Sequence, residues 1–380
     1  MPFSGNTYTP PAGATNAAPG QVIQSSIWDA IFTDLATALT TLMTAANNDP
    51  TWANILFANG GFAVWQRGAG NAPSFSVGAS STQYTADRWY ITTGANQAST
   101  VAGVAGLLTS TTTPHAAKIA RNSGQTGIGV MTFGYPLTAD EVARFRGQQV
   151  SFSGAAKAGA NWSPASGTLN INLYVGTGTP GKRGGGFTNE TNPLSISVNL
   201  AAGATNTAIT ATSAGAVANT STQGEIQVTW TPVGTAGVDD SITLDGFCLV
   251  PGTLVQTFTD IPFEYCLIDC KKFYRKSFPY NTAPAQNAGL VGARSRIADQ
   301  VVSQFGFYIN FEPVEMYATA VMTGYNPSGN SQNWINNSTG SSLAASFDNV
   351  GSGKGVLVLG ATATNVGNVM YIHYSADAGL

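Results

Sequence analysis

The chain reads as an all-β protein with one N-terminal helix, and three observations carry that reading. Short runs alternate apolar and polar residues with a period of two: Gln149-Val150-Ser151-Phe152-Ser153, Leu169 to Val175, Glu225 to Trp230 and Ser241 to Leu244. Such runs give a strand one core face and one solvent face, the pattern of antiparallel sheets. Gly, Asn, Thr and Ser separate them, and these are turn residues. From residue 54 onward no long helical period occurs apart from Thr138 to Arg146. Together these features spell a jelly roll or sandwich.

Taken in order, residues 1–20 contain Pro10-Pro11-Ala12-Gly13 and Pro19-Gly20 with no hydrophobic period, so they form an extended arm. Ser25 and Ser26 can cap a helix, with Asp29 in its first turn. Ile27, Ile31, Leu35, Ala38 and Leu42 then follow at spacings of three and four, which predicts a helix to about Ala46. Trp28, Phe32 and Leu39 add a second apolar strip. A helix with only Asp29 and Asp34 charged must pack on something: another copy, a partner, or the chain's own globular part. Asn47-Asn48-Asp49-Pro50 ends it.

Composition narrows the function. At 380 residues the chain is long enough for two or three domains. Charged residues are only 9%, against roughly 25% in ordinary soluble domains. A surface built from hydroxyls and amides loses little when salt screens charge, which suits a component exposed outside a cell. The net charge is −3 and no Lys/Arg run exists, so there is no electrostatic footprint for nucleic acid. No stretch approaches the ~20 apolar residues of a spanning helix, and Met1 to Tyr8 lack the basic and apolar regions of a secretory signal. Neither membrane insertion nor a secretory leader is expected.

Chemistry-bearing residues are sparse. Cys248, Cys266 and Cys270 are an odd number for a disulfide framework, and with only His115 and His373 beside them no metal or cofactor is expected. Glycan cleavage needs two converging carboxylates. The candidates are Asp87, Asp140, Glu141, Glu225, Asp239, Asp240 and Asp245, mostly near turns, where Asp is common anyway. No Gly-x-Ser-x-Gly elbow occurs, so the expectation is a protein that is not an enzyme.

Several segments carry a resemblance. Asn59-Gly60-Gly61-Phe62-Ala63-Val64-Trp65-Gln66-Arg67-Gly68 resembles the first strand of a jelly-roll module of phage tail-fibre and minor tail proteins. Tyr84 to Tyr90, with Thr85-Ala86-Asp87-Arg88-Trp89, is similar to a second strand of that family. Arg146 to Ser153, followed by Ala156-Lys157-Ala158, resembles a third, and Leu244 to Gly252 the closing strand. Phe263-Glu264-Tyr265 and the run to Ser277 look like the family's exit and connector, with Phe273 where the family has a tyrosine. The resemblance covers most of residues 1–277. It implies a sandwich akin to carbohydrate-binding modules, without implying that this copy binds sugar. Phe62, Val64, Trp89 and Phe247 are expected in the sandwich core. Arg88, next to Asp87, is expected to fasten a loop through carboxylate hydrogen bonds.

In residues 278–380, Phe305 to Phe311, Met316 to Met322, Gly355 to Leu359 and Val369 to Tyr374 read as strands. Between them, Asn326 to Ser346 is unusually polar. Rings stack on apolar sugar faces and amides bond hydroxyls, so Trp334, Tyr325, Asn333 and Asn336 are the candidate glycan contacts, with Trp162 and Tyr174 next. A plain solvated turn has the same composition.

The expected organisation is an arm and helix over 1–52, a jelly-roll sandwich with connector over 53–277, and a smaller C-terminal β-domain over 278–380. The expected protein is a phage fibre or tail component, made in the host cytoplasm and carried on the virion as a homotrimer. It would contact other virion proteins through the N-terminus (Ile27, Ile31, Leu35, Leu42) and a host-surface glycan through its tip. The alternatives are a purely structural head fibre, decoration or collar protein, and a glycan-cleaving tailspike.

Overall fold

The computed structural model describes residues 3–4, 7–8, 33, 35, 37, 57–108, 112–297, 305–348, 350–359 and 366–380. The chain divides into two compact units, Met1–Thr51 and Trp52–Leu380. In the first, strand β1 (Phe3–Ser4) pairs antiparallel with β2 (Thr7–Tyr8). Thr33, Leu35 and Thr37 are helical and exposed, and the Thr37 hydroxyl donates to the Thr33 carbonyl at 2.8 Å. Of the predicted helical stripe, Ile27, Ile31, Ala38 and Leu42 lie outside the described residues.

The second unit is nearly all β. Its first part comprises β3 (Ser74–Val77), β4 (Thr82–Tyr84), β5 (Tyr90–Thr92), β6 (Ser99–Val104), β7 (Ala116–Arg121), β8 (Met131–Leu137), β9 (Val150–Ala158), β10 (Thr168–Thr177), β11 (Thr188–Asn199), β12 (Thr207–Thr212), β13 (Gln223–Trp230) and β14 (Asp240–Pro251). They form two six-stranded antiparallel sheets, β11-β10-β13-β8-β5-β4 and β12-β9-β14-β7-β6-β3. Apart from the hairpins β4–β5, β6–β7 and β10–β11, successive strands cross from one sheet to the other, as in a jelly roll. The period-two residues do what their spacing demands: Ile171, Leu173, Ile226 and Val228 from one sheet meet Phe152, Ile242 and Leu244 from the other, all fully buried. Burying one such side chain contributes about 1.5–3 kcal/mol, so this core is the main stabilising mass.

Three motif segments depart from their expected form. Asn59 to Gly68 is not a strand, because the Asn59 side chain replaces the ladder. Its Nδ2 donates to the carbonyls of Val64 (2.9 Å) and Asp87 (3.1 Å), and its Oδ1 accepts from the Val64 amide (3.0 Å). Gly60 and Gly61 are required there, since a Cβ would strike the Phe247 carbonyl at the first and the Phe258 ring at the second. Thr85 to Trp89 is the tight connection between β4 and β5, closed by Thr85 N donating to Trp89 O at 2.9 Å, with Arg88 at φ +73°. The connector contains a helix that the sequence reading did not anticipate. Phe62, Trp89 and Phe247 are in the sandwich core as expected, whereas Val64 packs with Cys266 and Cys270 in a separate cluster.

Two short helices flank the sandwich. Helix α1 (Ala139–Ala143) begins with a reciprocal capping box: Glu141 N donates to Thr138 Oγ1, and Thr138 N to Glu141 Oε2. Helix α2 (Phe263–Cys270) follows Pro262, and its four-residue spacing buries Cys266 and Cys270 on one side.

The remaining strands are β15 (Tyr274–Lys276), β16 (Arg294–Ile297), β17 (Phe305–Asn310), β18 (Val321–Tyr325), β19 (Trp334–Asn336), β20 (Ser342–Leu343), β21 (Ala345–Asp348), β22 (Lys354–Leu359) and β23 (Val369–Asp377). Strand β23 is the hub, pairing with β15, β16, β18 and β19, while β17, β22 and β21 form a separate sheet. The strand expected at Met316 to Met322 falls instead at β18, and the polar stretch read as loop contains β19, β20 and β21.

Candidate functional site

A cavity of about 300 Å³ opens where α1, α2 and the segment around Tyr317 meet. This size is at the lower end of the roughly 300–1,000 Å³ typical of small-ligand sites. Its floor is set by Arg88. Arg88 fastens its loop through carboxylate hydrogen bonds, as expected, but not to its neighbour Asp87. Instead Nη2 donates to Glu141 Oε2 at 3.0 Å and to the Pro136 carbonyl at 2.7 Å. The guanidinium lies 3.7 Å from the Phe273 ring centre and 4.4 Å from that of Tyr135. Burial opposes this charge, and Glu141, with Tyr135 and Cys270 contributing, raises the Arg88 pKa beyond its ordinary value. Burial likewise drives the Tyr135 phenol well above the ordinary range, so its hydroxyl stays a donor, to Glu141 at 3.2 Å.

The walls are aromatic. Phe273 stacks on Tyr317 at 5.3 Å and 29°, and the Tyr317 amide donates to the Lys272 carbonyl at 2.6 Å. Tyr265 and Asp269, one turn apart on α2, face the opening, and Tyr265 is 53% exposed. Asp140, Arg144 and Lys272 complete the rim, with Lys272 bonded to Asp269 at 2.6 Å. Exposed rings beside carboxylates, a guanidinium and an ammonium can cover one face of a sugar while bonding its hydroxyls. Cys266 also touches the cavity, but burial pushes its thiol up to about 12, and burial likewise raises the Cys270 thiol well above its ordinary value. Neither is a thiolate nucleophile at neutral pH.

The residues chosen from sequence lie elsewhere. Trp334 is fully buried, packed with Ile309, Phe311, Met316, Met370 and Ile372. It cannot be a contact aromatic, because β19 pairs with β20 and β23 and carries the indole into the C-terminal core. Asn336 is buried and accepts from the Ser338 amide at 2.9 Å, closing a turn. Tyr325 is half-buried, edge-on to Phe278 at 5.3 Å with its hydroxyl 3.1 Å from Ser375 Oγ, and Asn333 is half-buried. Trp162 packs on Trp230 at 5.9 Å, and Arg183 covers the Tyr174 ring at 3.8 Å.

Among the candidate acids, Asp140 and Glu141 line the cavity. The others serve the framework. Asp240 pairs with Arg121 at 2.8 Å, and Asp239 with Lys118 at 2.8 Å. Asp245 accepts from the amides of Leu107 and Leu108. Glu225 is buried on the outer side of its sheet, accepting from Tyr90 (2.5 Å), Gln227 (2.8 Å) and the Arg183 amide (2.6 Å). Gly134 makes room for it, since a Cβ there would lie 2.5 Å from Glu225 Oε1. Among the described residues, no cluster of three His, Cys, Asp or Glu side chains is arranged to hold a metal ion, and no helix is long and apolar enough to cross a membrane.

The chain matches no protein-family model and no curated protein sequence. Solved structures with a related sandwich include the enzymatically active domain of tailspike protein 4 from bacteriophage CBA120 (13% identity, TM-score 0.29), matched over 52% of this chain and 21% of that one. Others are a Stig cyclase from Fischerella sp. TAU (12%, TM-score 0.31, 52% and 97%) and the CBM22-1 xylan-binding domain from Paenibacillus barcinonensis (13%, TM-score 0.27, 50% and 99%). Two of these three are enzymes or enzyme domains, so the expectation that the chain is not an enzyme is withdrawn. Likeness at this level assigns no activity to it.

Proposed function

We propose that the chain is a fibre or tail component of a bacteriophage particle that holds a host-surface glycan in the cavity between α1 and α2. The observation that supports this reading is the pairing of half-exposed Tyr265 and Tyr317 with Asp140, Arg144, Asp269 and Lys272 around one 300 Å³ space. The low charge content of the chain suits the same setting, because hydroxyl and amide surfaces tolerate changing salt. The N-terminal unit joins the protein to the particle and to two further copies of itself. In support, Leu35 of the predicted apolar stripe is helical and 55% exposed, a surface that a partner would cover.

A second reading, a structural particle component whose sandwich is a spacer, draws support from the motif segments. Gln66, Arg67, Asp87 and Tyr274 meet in a joint within the chain, so these motif residues hold its parts together. Adsorption separates the two. Purified protein should bind host cells, and surface polysaccharide extracted from those cells should displace it. If the protein does not bind, or the polysaccharide does not compete, the spacer reading stands.

A further inference from the structure

On the outer face of the β9–β14–β7 sheet, sharing no lining residue with the α1–α2 cavity, lies an open groove of about 450 Å³. We propose that it is a second binding site, selective for saccharides that carry a carboxylate. Lys118 on β7 is paired across the ladder with Thr243 on β14, and Thr243 with Lys157 on β9. The three therefore form one row across adjacent strands. Their side chains share the outer face, because the flanking Ala117, Ile119, Ile242, Leu244, Ala156 and Ala158 are all in the core. Two strand spacings separate the lysine backbones by about 10 Å, a span that two flexible four-carbon stems close easily.

The charge balance of the groove is uneven. Asp239 is committed to Lys118: its Oδ1 accepts from Lys118 Nζ at 2.8 Å and from Ser241 Oγ at 2.8 Å, and its Oδ2 from the Ala160 amide at 3.0 Å. Lys118, followed by these hydrogen bonds, holds the Asp239 carboxyl down at about 2, so it stays ionised. Lys157 is exposed, and no carboxylate of the described residues lies within ion-pair distance of it. One positive charge is left over, in a chain with only 16 Lys and Arg and a net charge of −3. Between the lysines stands the Thr243 hydroxyl, and Val104 and Leu107 supply an apolar wall.

This set matches one ligand chemistry. A sugar carboxylate accepts from Lys157 and from the free N–H groups of Lys118. Ring hydroxyls bond Thr243, and the apolar ring face rests on Val104 and Leu107. The groove has no aromatic ring, so it lacks the stacking surface that would hold a neutral sugar, and the net negative charge of the protein supplies no non-specific pull on polyanions.

Affinity electrophoresis of the full chain through gels containing polygalacturonate or neutral dextran tests this at low ionic strength. Polygalacturonate should retard the wild type and dextran should not do so through this groove. Lys157→Gln, at an exposed position that the fold does not depend on, should bind polygalacturonate about tenfold more weakly with unchanged Tm. Tyr265→Ala, in the separate cavity, should leave that retardation intact, so failure here and failure of the glycan-fibre reading are told apart. Equal retardation of wild type and Lys157→Gln would overturn the proposal. So would full displacement by millimolar inorganic phosphate, which would mark a generic anion site.

Discussion

The guanidinium of Arg67 sits 3.9 Å from the ring centre of Tyr274 and donates to the Asp377 carboxylate at 2.8 Å. One side chain thereby joins the sandwich to the connector and to the last strand. Around it, Gln66 Nε2 donates to Asp87 (2.6 Å) and to the Tyr274 carbonyl (3.0 Å), Asp87 lies 3.5 Å from Arg67, and the Tyr84 hydroxyl donates to the Leu380 carbonyl at 2.9 Å. Three of the motif segments meet here, through Gln66 and Arg67, Tyr84 and Asp87, and Tyr274.

Removing the central group should loosen that joint. Arg67→Ala leaves Asp87, 1% exposed, without its counter-charge, and breaking a buried pair costs about 3 kcal/mol. Denaturant titration should show this loss, and limited proteolysis should release the region beyond residue 277 first. A variant as stable and as resistant as the wild type would show that the stacked rings alone hold the joint.

Trp334→Ala should lower stability by about 3–5 kcal/mol, the usual cost of emptying a buried aromatic site. The fall in Tm checks it, and any loss of adsorption in this variant reports unfolding rather than a lost contact.

How much of this was legible in the sequence depends on the element. Ile226, Val228, Ile242 and Leu244 announced their strands, because alternation has no other economical explanation in a two-layer fold. Trp334 misled because its neighbours are amides. The structure shows why amides can sit beside a core residue: Asn326 and Asn336, both buried, spend their side chains on the amides of Ser328 and Ser338 and so build turns. Helix α2 was hidden by its brevity, eight residues after Pro262. The cavity was hidden because its residues come from segments about 50 to 130 positions apart, from Arg88 through Glu141 and Tyr265 to Tyr317. One signal was present, the four-residue spacing of Tyr265 and Asp269 beside that of Cys266 and Cys270.

The pH dependence has opposing parts. Burial lowers the pKa of His373, against the Gly289 carbonyl 2.9 Å from its Nε2. The unfolded chain therefore takes up the proton first, and the stability that His373 supports is present above about 6.5 and lost as pH falls through the folded value. Asp87 works the other way. Burial pushes its carboxyl up to about 6 against Arg67, so folding loses stability as pH rises from about 4 to 6. The difference in unfolding free energy between wild type and His373→Asn should therefore shrink from pH 7.5 to pH 5. A constant difference would show that His373 does not titrate on unfolding in that range.

Glu225→Gln should free the glycine-rich segment from Gly178 to Phe187. The new amide can still accept from Tyr90, but its NH2 then faces the Arg183 N–H, which loses its acceptor, at a cost of about 1–3 kcal/mol. Hydrogen exchange at the Arg183 amide should speed up markedly. Unchanged protection there would mean that Arg183, through Glu190 at 2.7 Å and the Tyr174 ring, fastens the segment by itself.

The glycan assignment rests on the α1–α2 cavity, and the affinity of Tyr265→Ala for host-surface polysaccharide tests it most directly. Tyr265 is 53% exposed, so its ring can be removed without emptying the core. Truncating an aromatic contact commonly costs more than about 1 kcal/mol, close to a tenfold change in Kd. Calorimetric titration should show binding about tenfold weaker than wild type, with the same Tm. Equal affinity in the two proteins would contradict the account and place the glycan outside this cavity.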